Sequence, residues 1–349
     1  MGLREYIIRR MLLIIPIMLG VVILIFGIMQ FVDVYQRVTV YLRNPRQYAP
    51  EVMAHYIHLY GLDQPIWVQF YNWLTGMLQG NFGYSAYFRE MALTGLMKRI
   101  PATFEIVLFS APLIILVGIW LGVQSAVKKD KALDQVTRVV SILGTSLPSF
   151  FFGILLSAIF VAQLKWVSTG RLTPSVNLAI MRGDTAGTWT RYTGLMTVDS
   201  LLNLRFDFFI DALTHLVLPV LVLVFIQTAV MVRVTRSSML EALSKTYITA
   251  ARAKGLTRNE VIYKHARRNA LIPVVTISGL LVGGMMTGLI ITETVFLFPG
   301  IGSWAATAAQ VFDISVVIIY AMFSAIVFVL ANLIVDVLYA YIDPRIRLG

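Results

Sequence analysis

The apolar residues of this chain come in long runs, and the polar residues collect in blocks between them. A helix rises 1.5 Å per residue, so ~20 residues cover the roughly 30 Å of bilayer hydrocarbon. Runs of that length predict six membrane spans, at 7–31, 103–127, 136–164, 212–232, 271–291 and 314–342. The first follows Arg9 and Arg10 as a signal peptide would. It is too long for a typical signal core and lacks a small-x-small cleavage site, so it reads as a retained helix. The polar blocks have their own periodicity. "PEVMAHYIHLYGL" predicts a short helix stopped by Gly61, while residues 165–211 read as loop with short helices. In "YITAARAKGLTRNEVIYKHARRNAL" an alanine-rich turn runs into Gly255. A second helical run then follows Thr257, with Glu260 three residues on as in a capping box. Two short helices meeting at a glycine turn are predicted there. There is no internal repeat and no low-complexity tract.

Composition agrees with a membrane chain. Of 349 residues 58% are hydrophobic and 13% charged, where a soluble domain carries about 25% charged. The fold class is therefore an all-α integral membrane protein of six spans. It divides into an N-terminal tip with the first span (1–31), an outer segment (32–102) and a five-helix core (103–349). The core carries an outer insertion (165–211) and an inner region (233–270). A net charge of +11 suggests nucleic acid at first, but its distribution gives another reason. With both termini cytoplasmic, Arg4, Arg9, Arg10, the Lys128–Arg138 cluster, the bases from Arg233 to Arg268, Arg345 and Arg347 all fall inside. That face then carries the whole excess and the outer face is neutral, as the positive-inside rule expects. The block from 247 to 273 cannot itself cross the membrane. Its six bases would cost about 15–20 kcal/mol at mid-bilayer. The outer segment 32–102 is rich in aromatics such as Trp67, Tyr71 and Trp73, which favour the membrane–water interface.

Candidate chemistry is sparse. The chain has no cysteine, which removes disulfides and thiolate catalysis. It has no phosphate-binding glycine loop, serine-hydrolase elbow or zinc-protease motif. His55 and His58 lack a third ligand and read as a surface helix, so no metal is expected. Glu105 and Asp336 sit near span ends, where pairing with a neighbouring helix competes with a role in an ion pathway. Ser146, Pro148 and Ser149 interrupt span three, as a kink or as a pathway contact. In span five, Gly279, Gly283, Gly284 and Gly288, with Thr287, have the small-residue spacing of close helix packing. That packing serves either the chain itself or a seam with a partner. In "FPGIGSW", Pro299, Gly300 and Gly302 suggest a tight outer turn.

At the inner block the sequence resembles the inner-membrane permeases of ABC transporters, and among them the dipeptide/oligopeptide/nickel import class. Ala250, Ala251 and Gly255 fit that family's cytoplasmic signature, and "ARAKGL" is typical of the peptide class. Thr249 stands where the signature has glutamate, and "HARR" at 265–268 replaces its Ile-x-Leu-Pro end. "GLDQPIWVQFYNWLTGMLQGNFGYS", "SILGTSLPSFFFGILL", "THLVLPVLVL", "ETVFLFPGIGSW" and "NLIVDVLYAYIDPRIR" extend the resemblance along nearly the whole chain. It implies a type I-like importer half-channel in the cell membrane, itself not catalytic. Its partners would be a second related permease, two cytoplasmic ATPases carrying ATP and Mg, an external binding protein and membrane lipid. It also implies that Ala250, Ala251, Arg252, Lys254, Gly255, Leu256 and Arg258 couple to an ATPase. From charge alone, a topology signal or an anionic-lipid contact is the competing reading, and Arg267 and Arg268 fit either. Pro299, Gly300 and Gly302 become an external gate or receptor contact. Peptides are the expected cargo and oligosaccharides the alternative. A gradient-driven secondary transporter is the rival class, but the repeated halves and mid-membrane acids such a protein usually shows are missing.

Overall fold

Where lipid replaces water, every backbone N–H and C=O must be paired within the chain. The computed structural model, which describes residues 3–43 and 45–342, is accordingly helical almost throughout. Helix α1 (Leu3–Met29) leads to an outer layer of α2 (Val34–Val38), α3 (Pro50–Leu59), α4 (Ile66–Leu78) and a hairpin, β1 (Tyr84–Ser85) with β2 (Glu90–Met91). Then follow α5 (Ala92–Val127), α6 (Ala132–Ser146) and α7 (Ser149–Leu156), the last continuing as a π-helical turn to Gln163. A second outer layer holds α8 (Pro174–Ala186) and α9 (Met196–Leu202). Helix α10 (Phe206–Ser244) descends to α11 (Thr246–Ala253), and α12 (Arg267–Met286) returns. The outer α13 (Ile290–Val295) and α14 (Ile301–Gln310) precede α15 (Ile314–Ile342).

Helices α5 and α10 form the central pair. With 36 and 39 residues they are about 54 and 58 Å long, well beyond the roughly 30 Å of hydrocarbon. They approach closely because Gly118 and Gly122 leave no side chain between them. A Cβ added at Gly118 would lie 2.4 Å from Met231, and one at Gly122 would lie 2.5 Å from Thr235. Helix α12 packs on α10 and α15, while α1 stands at the edge against α15. Most apolar side chains of α1 are exposed, among them Leu12, Ile15 and Leu24, as a lipid-facing helix requires.

The structure revises four expected elements. Among the described residues five helices are each long and apolar enough to cross a membrane, and α6 with α7 and its π-helical continuation makes the sixth as a broken span, bent by 99°. The bend falls at Pro148, which forces Leu147 into an extended conformation (ψ 124°) and leads into α7. The fourth span is far longer than residues 212–232. The second inner helix is not separate: a π-helical turn, Glu260–Ala266, runs straight into α12. No strong helix breaker lies between Asn259 and Pro273. Span five ends early, at Thr287, and Leu289–Ile291 turn into α13. Gly61 does close α3, with the Leu62 and Gly61 amides bonding back to Ile57 and His58. Arg345 and Arg347 lie outside the described residues.

The outer layers are fastened to the spans by polar ties. Glu105 is buried, and its partners come from the second outer layer. Arg171 reaches it with Nε and Nη2 at 3.0 and 2.8 Å, and the Thr197 amide at 2.7 Å. Pairing is thus its role, with a loop and the start of α9 as partners. In the first layer Arg99 joins Glu90 at 2.6 Å and lies against the rings of Phe88 and Trp304. Asp336 faces a groove between α1 and α15 that also includes Asn332, Leu13 and Ile17.

Candidate functional site

The inner segment is built from its turn outward. Gly255 has φ +77°, a left-handed conformation that glycine adopts without penalty. That turn lets the Leu256 amide bond to the Ala251 carbonyl (3.4 Å) and the Gly255 amide to Arg252 (2.9 Å), which satisfies the frayed end of α11. Beyond it, the Thr257 amide and hydroxyl both donate to Glu260 Oε2, at 2.9 and 2.7 Å. The Glu260 amide returns to the Thr257 hydroxyl at 3.4 Å, completing the predicted capping box.

Packing then sorts the residues of this segment into two sets. Ile248 and Ala251 are buried in a cluster with Val123 and Ala126 of α5, Met239 and Ala242 of α10, and Val261 and Ile262. Leu256 packs on the same cluster. Ala250, Arg252, Lys254, Gly255 and Arg258 are exposed. Of the residues expected to meet a partner, Ala251 therefore turns inward and Leu256 half inward, and the other five are exposed. Arg252 and Arg258 edge a recess of about 380 Å³ floored by Leu243, Leu256 and Val261. The segment thus rests on the ends of α5, α10 and α12 and leaves its bases exposed.

A second inner tie was not singled out from the sequence. Asp134, at the start of α6, is fully buried and accepts from Arg236 Nε and Nη2 at 2.7 and 3.0 Å. The Ser125 hydroxyl and the Asp130 amide also donate to it. Ser125 is on α5 and Arg236 on α10, so this carboxylate joins α6 to the two helices that carry α11. The one signal in the sequence was an acid among the bases of the inner loop. Arg267 lies over the Tyr263 ring at 5.5 Å, at the foot of α12.

On the outer side, residues the sequence raised separately come together around Glu293. This side chain is fully buried on α13. Its Oε1 accepts from the Thr103 hydroxyl at 2.6 Å and the Leu289 amide at 3.3 Å, and its Oε2 from the Ser303 amide at 2.7 Å. Thr103 in turn accepts the Ile301 amide at 2.8 Å. Glu293 therefore occupies the N-terminus of α14, where unpaired amides favour a carboxylate. Its partners are neutral. Burial pushes the carboxyl above the ordinary glutamate range, and the donors from Thr103, Ser303 and Leu289 oppose that rise. A Cβ at Gly300 would lie 2.3 Å from the Glu293 carboxyl, and one at Gly302 would lie 2.7 Å from the Ile290 nitrogen. Gly288, at φ +121°, faces Gly302 Cα with room for no side chain. Gly300 and Gly302 are thus buried packing positions, and Pro299 with Leu297 forms the exposed tip.

The remaining expectations fall in different places. Gly279 and Gly283 are filled by α15, since added Cβ atoms would come 2.0 Å from Val335 and 2.4 Å from Ala331. Gly284 instead faces open space, and Thr287 donates to its carbonyl at 2.7 Å. Ser146 and Pro148 are exposed at the bend and Ser149 is half-buried. His58 bonds to Asp63 at 2.7 Å. Among the described residues no three His, Cys, Asp or Glu side chains form a metal-sized cluster.

Comparison with known proteins gives this architecture a family. Residues 114–348 match the family described as binding-protein-dependent transport system inner membrane component, and residues 3–107 match its N-terminal companion. The dipeptide transport system permease protein DppB of Escherichia coli (strain K12) is 37% identical over 346 residues, covering 98% of each chain. The di/tripeptide transport system permease protein DppB of Pseudomonas aeruginosa (strain UCBPP-PA14) is 37% identical over 344 residues, again covering 98% of both. The oligopeptide transport system permease protein AppB of Bacillus subtilis (strain 168) is 36% identical over 343 residues, covering 98% of this chain and 99% of its own. With its stacked spans, inner basic segment and full-length likeness to permeases, the chain belongs to the family of binding-protein-dependent transport system inner membrane components and is a multi-pass cell-membrane protein.

Proposed function

We propose that this chain is the peptide-conducting permease subunit of an ATP-driven importer. It pairs with a second permease, receives cargo from an external binding protein and is driven by two cytoplasmic ATPases that hold the ATP and Mg. The observation that carries this reading is the inner segment: Ile248 and Ala251 are locked into the chain's core while Ala250, Arg252, Lys254, Gly255 and Arg258 around them stay exposed. Exposed charges at the rim of a contact guide docking and register. Because Ile248 and Ala251 are keyed into α5 and α10, a push on α11 moves those long helices as rigid bodies. The relatives named for dipeptide, di/tripeptide and oligopeptide transport make peptides the cargo favoured over oligosaccharides.

Two measurements test the reading. The tagged chain should co-purify with ATPase subunits, and a chain that purifies without them and still transports would contradict it. Di- and oligopeptides should raise the melting temperature of the binding protein encoded beside it. A rise with oligosaccharides and none with peptides would replace the cargo.

A further inference from the structure

Helix α4 is attached to α1 at a depth that can be read from the chain. The apolar window of α1, Met11–Met29, has 19 residues and spans about 28 Å, close to the full hydrocarbon thickness of roughly 30 Å. Phe26 lies three residues inside its outer end, about 4.5 Å down. It packs on Phe70 and Trp73 of α4, with ring centroids 5.1 and 5.4 Å apart. Arg37 ties the same place by donating to Gln30 on one side and to Gln69 of α4 on the other, at 2.7 and 2.9 Å. So α4 meets α1 at the upper edge of the hydrocarbon, not in the water beyond it.

The sequence of α4, "IWVQFYNWLTGML", has no charged residue. At 3.6 residues per turn its side chains fall into three sectors. Phe70, Trp73 and Met77 pack inward. Asn72, Thr75 and Gln79 gather on the far side, with Gln69 at the border next to Trp73, where it meets Arg37. Between these sectors Trp67, Tyr71 and Leu78 lie within about 40° of one another, and they are 70%, 67% and 80% exposed. A helix of soluble surface would carry charge here. An apolar stripe tipped with indole and phenol, beside a polar uncharged sector, is the pattern that settles at the headgroup–acyl boundary.

We propose that α4 lies in the outer membrane–water interface, with Trp67, Tyr71 and Leu78 inserted among the lipids, and so anchors the outer segment to the bilayer surface. The chain has no cysteine, so Tyr71→Cys, Leu78→Cys and the α3 control His58→Cys each give a single labelling site. His58, with its side chain 79% exposed, serves as the aqueous reference. Each variant of the full chain is spin-labelled in nanodiscs of phosphatidylcholine and phosphatidylglycerol, and collisions with oxygen and with a water-soluble nickel chelate are compared. The oxygen-to-nickel accessibility ratio should be at least several-fold higher at 71 and 78 than at 58. A ratio at either position equal to that at 58 would place α4 in water. Protection from both reagents would show the stripe covered by protein, a second copy included. Each of those two results overturns the proposal.

Discussion

The inner segment and the outer α12–α14 turn are both short-helix insertions between spans, yet they are fixed in opposite ways. Inside, the anchor is apolar: Ile248 and Ala251 plug into α5 and α10 while five neighbouring positions stay exposed. Outside, the anchor is polar: Glu293 is buried, its hydrogen bonds go to α13–α14 amides and Thr103, and glycines bring the backbones together. An element meant to meet a partner keeps its charge on the surface and its grease at the back. An element that closes on itself buries its charge and has little to offer but the tip at Leu297 and Pro299. The contrast separates the proposed coupling face from the outer turn more sharply than charge counting does.

Breaking a buried polar tie should give the largest effects, first at the one that holds α6 to the helices under α11 and then at the outer turn. Replacing Asp134 by Ala removes one partner of a buried ion pair and leaves Arg236 without its carboxylate. Such a change costs about 3 kcal/mol and should appear as a large drop in melting temperature in detergent. Glu293→Ala strands the donors of Thr103, Ser303 and Leu289 in the interior. At about 1–3 kcal/mol for an unsatisfied buried group, it should destabilise the outer turn while leaving α11 as protected from proteolysis as in the wild type. Equal proteolysis at both sites would break the comparison. Gly302→Ala sets a methyl against the backbone of Ile290 and should cost about 1–3 kcal/mol, read as a lower melting temperature. Smallest is the exposed cap: Thr257→Ala should cost about 1 kcal/mol and be visible as faster amide exchange from Thr257 to Ala266.

Glu293 adds a pH dependence with a definite sign. Burial raises its folded-state pKa above the ordinary glutamate value, so just above that value the folded chain holds a proton that the unfolded chain has lost. Stability therefore falls as pH rises through that window and is unaffected by this group well below it. Glu293→Gln should flatten that part of the profile. A profile identical to the wild type would assign the dependence elsewhere.

Much of this architecture was legible in the sequence because membrane spans and glycine turns carry local signals. The length of the apolar runs located most spans, Gly61 and Gly255 marked real turns, and Thr257 with Glu260 formed the box their spacing predicts. What was missed depends on contacts distant in sequence. Nothing near Glu293 says that Thr103, 190 residues away, will meet it, and nothing near Asp134 points to Arg236. The division of Ala250 from Ala251 needed the positions of α5 and α10. The bend at Pro148 was visible as a break, but its 99° angle was not, nor was the packing of α7 between α10 and α13.

The proposed coupling face rests most directly on Gly255. A Cβ there would meet nothing within 4 Å, so a side chain at 255 disturbs the chain's own packing only through the turn's left-handed φ. Asparagine tolerates that conformation. Gly255→Asn is therefore the control for the turn, and Gly255→Arg adds bulk and charge where an ATPase would sit. In proteoliposomes holding the assembled importer, ATP-driven peptide uptake should stay near wild type for Gly255→Asn and be lost for Gly255→Arg. The external binding protein should hold its peptide equally well in both cases. Normal ATP-driven uptake with Gly255→Arg would contradict the assignment of this face to ATPase coupling.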